Sequence, residues 1–259
     1  MANYEFCKVE REGKLTIVTM NRPDVMNSLH PPANYELEKV FNDFAADPSQ
    51  WVAIITGAGD RAFSAGNDLK YTASGAKMET PKTGFAGLTA RYDMFKPVIA
   101  AVNGVAMGGG MEIAIACDII IASDKARFAL PEPRVGLAAG AGGVHRLPRQ
   151  IGLKHAMGMI LTGRHVPAEE ALRLGFVNEV VPHADVMNAA KRWAAQIMEC
   201  SPMSIRASKE MSMQGLAQAG IEAASNGRYA GMSALAKSKD FVEGPRAFAE
   251  KRKPNWADV

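Results

Sequence analysis

Two glutamates twenty positions apart, Glu112 and Glu132, sit where a solvated surface carboxylate would be unusual. Glu112 follows Gly108-Gly109-Gly110-Met111 and precedes Ile113, Ala114 and Ile115. Glu132 lies between Pro131 and Pro133, just after Phe128-Ala129-Leu130. Upstream is a second glycine turn, Phe63-Ser64-Ala65-Gly66-Asn67-Asp68. Two carboxylates in a partly desolvated cleft can hold one water between them, one acting as base and the other as acid. Backbone N–H groups aimed at one oxygen stabilise an enolate or a tetrahedral oxyanion by a few kcal/mol. Together these groups have the makings of chemistry beside a carbonyl group.

Taken singly, each feature has a plainer reading. Glu112 can be a first-turn carboxylate favoured by the helix dipole, and Glu132 an exposed loop carboxylate. The glycines can serve close helix–strand packing, and Ala65-Gly66-Asn67 is a common turn sequence. Three consecutive glycines lose conformational entropy on folding, so the chain must need bare backbone there. A helix that begins at those glycines presents unpaired N–H groups and a partial positive charge to any nearby oxygen. It is the combination that favours acid/base chemistry.

The elements that must position these residues alternate. Short apolar runs suit buried strands at Leu15–Met20, Trp51–Thr56, Pro97–Val102, Ile119–Ala122 and Phe176–Val181. Between the third and fourth, Asn103 to Gly110 is expected to turn the chain, with Ile113–Cys117 as the body of a helix. Leu37, Val40, Phe41 and Phe44 recur at helical spacing, and Asp47-Pro48 ends that helix. Val186, Ala190, Trp193 and Ile197 form a similar stripe. Strands alternating with helices define an α/β class. Composition shifts near Ser201-Pro202 into alanine- and methionine-rich helical sequence. Residues 1–200 are therefore expected to form the core, and 201–259 a helical module suited to packing on another subunit. The polar stretch Thr72 to Gly84 reads as a mobile loop, where a lid or specificity element can sit.

Composition excludes several classes. At 259 residues, with 47% hydrophobic and 22% charged side chains, the chain is an ordinary globular protein. A net charge of +3, with basic residues spread along the chain, does not argue for nucleic acid. The apolar stretches are broken by Asn103, Glu112 and Asp118, so no membrane span is expected. The charged residues of the first twenty positions leave no signal-peptide core. Cys7, Cys117 and Cys200 lack metal-ligand spacing and read as reduced cytoplasmic thiols. His30, His145, His155, His165 and His183 show no metal-site spacing either and are assigned surface or structural roles. Asp118 reads as a structural hydrogen-bonding carboxylate, and Arg127 and Arg146 as candidates for salt bridges around the site. No nucleotide-binding glycine fingerprint occurs, so neither ATP nor NAD is indicated.

The order of motifs resembles a known family. Lys96-Pro97-Val98-Ile99-Ala100-Ala101-Val102-Asn103-Gly104 leads into Gly108-Gly109-Gly110-Met111-Glu112 and Cys117-Asp118. Phe128-Ala129-Leu130-Pro131-Glu132, Gly140-Ala141-Gly142-Gly143, Arg146-Leu147-Pro148 and Leu161-Thr162-Gly163 follow. This series, from Asn21-Arg22-Pro23 to Glu250-Lys251-Arg252, resembles the crotonase, or enoyl-CoA hydratase/isomerase, superfamily. Ile54 to Gly59, Gly84 to Thr89 and Glu243-Gly244-Pro245 are similar to its carnitinyl-CoA dehydratase branch.

The resemblance implies an α/β superhelix of ββα turns with a C-terminal helical region that trimerises, often as a dimer of trimers. It implies an oxyanion hole at the N–H groups of Asn67 and Gly109, with Glu112 activating water and Glu132 exchanging a proton at Cα. It further implies CoA contacts at Phe63, Ser64 and Ala65 (adenine), at Lys70, and at Lys251 (phosphates). The activity implied is reversible addition of water to a 2-enoyl-CoA, with an acyl-CoA thioester as substrate and no separate cofactor or metal. An enoyl-CoA isomerase needs only one carboxylate, so retention of both favours hydration. Carnitinyl-CoA dehydration is the alternative as a specific substrate class, and a non-catalytic CoA- or RNA-binding homologue is a remote one. Ala138-Ala139-Gly140 replaces a segment that often holds proline in the family, Asn67 replaces an alanine, and Met232 stands where some relatives place an aromatic. The acyl group is left open.

Overall fold

The computed structural model describes residues 4–258, and all counts refer to those residues. Ten strands form two sheets. They are β1 (Cys7–Glu12), β2 (Leu15–Met20), β3 (Val52–Gly57), β4 (Ala62–Ser64), β5 (Val98–Val102), β6 (Val105–Met107), β7 (Ile119–Ser123), β8 (Arg127–Ala129), β9 (Val166–Pro167) and β10 (Glu179–Val181). The larger sheet runs β1-β2-β3-β5-β7-β10, parallel from β2 onward, with β1 an antiparallel edge. The smaller runs β4-β6-β8-β9, its first three strands parallel. Three successive turns of chain thus give one strand to each sheet: β3 then β4, β5 then β6, β7 then β8. This is the ββα superhelix that the resemblance implies.

The strands of the larger sheet are apolar on both faces because both are covered. Val18, Ile55, Ala100 and Ala122 face one hydrophobic cluster together with Leu37, Phe41 and Phe44 of α1 (Pro31–Ala46). Ile17, Ile54, Ile99 and Ile121 face the opposite one, with Val186, Ala190 and Ala194. Period-two alternation therefore separates two cores, although every residue of β3 is buried.

The helices after α1 are α2 (Leu69–Ala73), α3 (Gly109–Ala116), α4 (Gly143–Ile151), α5 (Leu153–Thr162), α6 (Ala168–Leu174) and α7 (Val186–Met198). After Ser201 come α8 (Pro202–Gly215), α9 (Ile221–Ser225), α10 (Ala230–Leu235) and α11 (Lys239–Ala249), with no further strand among the described residues. Lys209 of α8 bonds Asp118 Oδ2 at 2.7 Å and Lys96 O at 3.0 Å, tying this part to the sheet. Among the described residues no helix is long and apolar enough to cross a membrane.

Two expectations need correction. Asn103 to Gly110 is not one turn, because Val105–Met107 forms β6. Three residues are too few to show a period, and only pairing with β4 and β8 defines them as a strand. Of Phe176–Val181, only Glu179–Val181 pairs, with β7, while Phe176 and Val177 are buried in the core.

Candidate active site

β4, β6 and β8 lie side by side and parallel, so their C-terminal ends open on one edge. β4 runs into Ala65-Gly66-Asn67, β6 into Gly108 and α3, and β8 into a 3-10 turn at Glu132–Val135. The smaller sheet therefore brings together residues separated by up to 65 positions. Ligands in open parallel sheets bind at such carboxyl ends.

Glycine at three positions lets the loops touch. A Cβ on Gly66, which has φ +87°, would lie 2.6 Å from Met107 O and 2.7 Å from Gly109 N. One on Gly110 would lie 2.0 Å from Ser64 O, and one on Gly109 would lie 2.6 Å from the Phe85 ring. No side chain fits at such distances. The N–H groups of Asn67 and Gly109 have no hydrogen-bond acceptor among the described residues. For Gly109 this follows from its place as the first residue of α3. For Asn67 it follows from the bridge to Leu29, which engages Gly66 O and Asp68 N on either side.

Glu112 lies in the first turns of α3 and is 3% exposed. Its Oε1 accepts from Gly143 N at 2.8 Å, at the start of α4. Burial pushes its pKa up to about 7; bonds from the Gly143 and Ala141 amides pull the other way, and the Glu132 charge adds to the rise. Desolvation thus outweighs the helix-terminal donors. Glu132 is partly buried, and burial raises its carboxyl above the usual range. Its Oε2 is buried with no hydrogen-bond partner, and its Oε1 would lie 3.1 Å from a Cβ on Gly108. The Glu132 carboxylate thus lies against Gly108, and its charge is felt by Glu112, four residues beyond that glycine in the chain.

The remaining candidates are less converged. Phe63 and Ser64 are fully buried in β4 and Ala65 is half-buried. Lys70 is exposed on α2. Lys251 is exposed just beyond α11, which makes no extensive packing with α2, α3 or β4. Within one chain, then, Lys251 is not brought to the glycine turns. Arg127 and Arg146 make no salt bridge among the described residues, contrary to expectation. Arg146 instead donates to Thr89 O at 2.7 Å, and Arg127 is exposed on β8. Asp118 accepts from Val98 N at 2.8 Å, the structural role expected of it. Of the histidines, His30 is buried, His183 half-buried, and the other three exposed. No group of three or more His, Cys, Asp or Glu residues has metal-binding geometry among the described residues. Sequence reasoning missed Gly143 as the partner of Glu112; its only signal was the cluster Gly140-Ala141-Gly142-Gly143.

A two-sheet ββα superhelix with paired carboxylates beside bare helix-terminal amides defines the class: the chain belongs to the enoyl-CoA hydratase/isomerase family, whose model matches residues 10–259. It is 42% identical over 261 residues to a carnitinyl-CoA dehydratase of Escherichia coli K12, covering 97% of this chain and 98% of that protein. Among solved structures, an enoyl-CoA hydratase of Mycobacterium marinum superposes with TM-score 0.92 at 35% identity, over 98% of this chain and 99% of the other. A carnitinyl-CoA hydratase of Mycobacterium avium superposes with TM-score 0.78 at 40% identity, over 99% and 100%.

Proposed function

We propose that this chain hydrates 2-enoyl-CoA thioesters and dehydrates the corresponding 3-hydroxyacyl-CoA. The thioester oxygen sits between the N–H groups of Asn67 and Gly109, which draws electron density from Cβ. Glu112 takes a proton from water as its oxygen bonds to Cβ, and Glu132 delivers a proton to Cα. Water and the thioester are the only reactants, so no further cofactor or metal is required. The observation that carries this reading is the pair of carboxyls raised by burial, Glu132 against Gly108 and Glu112 on the helix that starts at Gly109. A proton shuttle for isomerisation uses one carboxylate, whereas water addition uses both.

The test is loss of the conjugated enoyl absorbance of crotonyl-CoA, for wild type, Glu112→Gln and Glu132→Gln. Each variant is expected to lose at least about 100-fold in kcat, on the scale of general acid–base catalysis. Folded variants with near-wild-type rates overturn the assignment, and turnover of 3-enoyl-CoA alone favours the isomerase. The 42% identity to carnitinyl-CoA dehydratases supports a carnitinyl-type acyl group as the first member of a substrate panel.

The helices after Ser201 serve oligomerisation in this reading, as a trimer or a dimer of trimers. Phe241, Val242 and Phe248, which are 50%, 67% and 87% exposed, support it, because a trimer would cover them. Lys70 and the backbone of Phe63 to Ala65 contact CoA, and Lys251 reaches the phosphates from a neighbouring subunit. The three cysteines are unpaired, in keeping with a reducing cytoplasm.

A further inference from the structure

The loop that offers the Asn67 N–H is held from outside by residues 22–30, which no catalytic role involves. Around Asn67 the neighbouring N–H groups and Gly66 O are engaged. Ala65 N donates to Met26 O at 2.9 Å, Leu29 N to Gly66 O at 2.8 Å, and Asp68 N to Leu29 O at 3.0 Å. Gly66 N donates to Ser64 Oγ, which itself bonds Asn27 O at 2.8 Å. The peptide joining Gly66 to Asn67 is planar and trans, so its C=O and N–H point in opposite directions. Fixing Gly66 O on Leu29 therefore fixes the direction of the Asn67 N–H.

Leu29 is in turn placed by a strained turn. Met26 and Asn27 both adopt left-handed φ, +56° and +53°. Such non-glycine conformations persist only where the surroundings over-determine them. Here the Asn27 amide donates to Ala58 O and Ala62 O at 2.9 and 2.8 Å and accepts from Arg22 N at 3.0 Å. One guanidinium nitrogen then joins bracket and loop: Arg22 Nη1 donates to Ser28 O at 2.5 Å and to Asp68 Oδ2 at 3.0 Å. The side chains of this ion pair are only 17% and 11% exposed. Asp68 also caps α2 through Tyr71 N at 3.2 Å.

We infer that Arg22, paired with Asp68, is a positioning residue for catalysis, setting the direction in which the Asn67 N–H meets the thioester oxygen. It touches no reacting atom and acts through Ser28, Leu29 and Asp68. The inference rests on the oxyanion role proposed for Asn67. A guanidinium is suited to the task because the two hydrogens of Nη1 lie in its fixed plane and aim at two acceptors at once, where an ammonium donates with less directional control.

The test uses the full chain with 4-(dimethylamino)cinnamoyl-CoA, whose absorption moves to longer wavelength when its thioester carbonyl is polarised. Wild type and Glu132→Gln are expected to give the full shift on binding. Arg22→Met is expected to bind the chromophore with a reduced shift, and to lose about 10- to 100-fold in kcat on crotonyl-CoA with KM changed much less, as for a donor misplaced by about 1 Å. Asp68→Asn keeps an acceptor for Tyr71 N while removing the charge, and carries the test should Arg22→Met fail to fold. Arg22→Lys is expected to fall between wild type and Arg22→Met. A full shift with wild-type kcat in folded Arg22→Met or Asp68→Asn overturns the positioning role and leaves the hydratase reading intact. Absence of the shift in wild type overturns the oxyanion site itself, and the positioning role with it.

Discussion

Gly143 N–H donates to Glu112 Oε1 at 2.8 Å, so the first amide of α4 holds one oxygen of a carboxylate carried on α3. The bond favours the ionised form, yet burial still leaves Glu112 titrating at about 7. A group poised there exchanges protons readily near neutral pH. Glycine at 143 eases this approach, since a Cβ would lie 3.0 Å from both Glu112 Oε1 and the Ala139 methyl, a tight fit that would press on the carboxylate.

Hydration kcat/KM should rise with pH through about 7 as Glu112 becomes the ionised base. A falling limb is expected where Glu132, whose carboxyl burial also raises, loses the proton it must deliver. The two carboxyls interact, so the limbs of the profile belong to the pair. A rate flat from pH 5 to 8, with chemistry rate-limiting, contradicts the assignment.

A stability consequence follows from the same shift. The folded-state pKa of Glu112, about 7, stands above the unfolded value of about 4.5. The native state therefore binds the proton more tightly, and stability falls as pH rises across that window. The full penalty above pH 7 is on the order of 3 kcal/mol. Glu112→Gln, which keeps an acceptor for Gly143 N, should unfold at higher urea concentration than wild type at pH 8. The difference should shrink towards zero at pH 4.5, as urea titrations at the two pH values would reveal.

Two glycine-to-alanine substitutions should act oppositely. Gly110→Ala forces a Cβ to 2.0 Å from Ser64 O, which is backbone and has to move. It should destabilise by about 1–3 kcal/mol or more and lower kcat by about 100-fold, because Gly109 N–H shifts with it. Gly158→Ala in α5 meets nothing within 4 Å. It should stabilise by about 0.5–1 kcal/mol with kcat unchanged. Thermal melts and crotonyl-CoA kinetics on both variants check the contrast.

Lys251→Ala should raise KM for CoA thioesters several-fold while leaving kcat nearly unchanged, the pattern for loss of uniform binding. The same variant should bind a pantetheine thioester, which lacks the 3′-phosphate and diphosphate, as wild type does. An unchanged KM for the CoA ester would remove Lys251 from the site.

The sequence alone determined the alternation of strands and helices, the order of motifs and the two glutamates. Strands buried on both faces are apolar runs such as Ile54-Ile55 and Ile99-Ala100, and α1 shows its period in Leu37, Phe41 and Phe44. Such local patterns are written in consecutive residues. Tertiary structure decided the three-residue strands β4, β6 and β8, too short for any period and defined only by mutual pairing. It also decided that Glu112 meets Gly143, and that Arg22, visible only within Asn21-Arg22-Pro23, grips Ser28 and Asp68. Those relations join residues far apart in the chain. Their strength comes from desolvation and from fixed peptide planes, neither of which exists until the sheets have assembled.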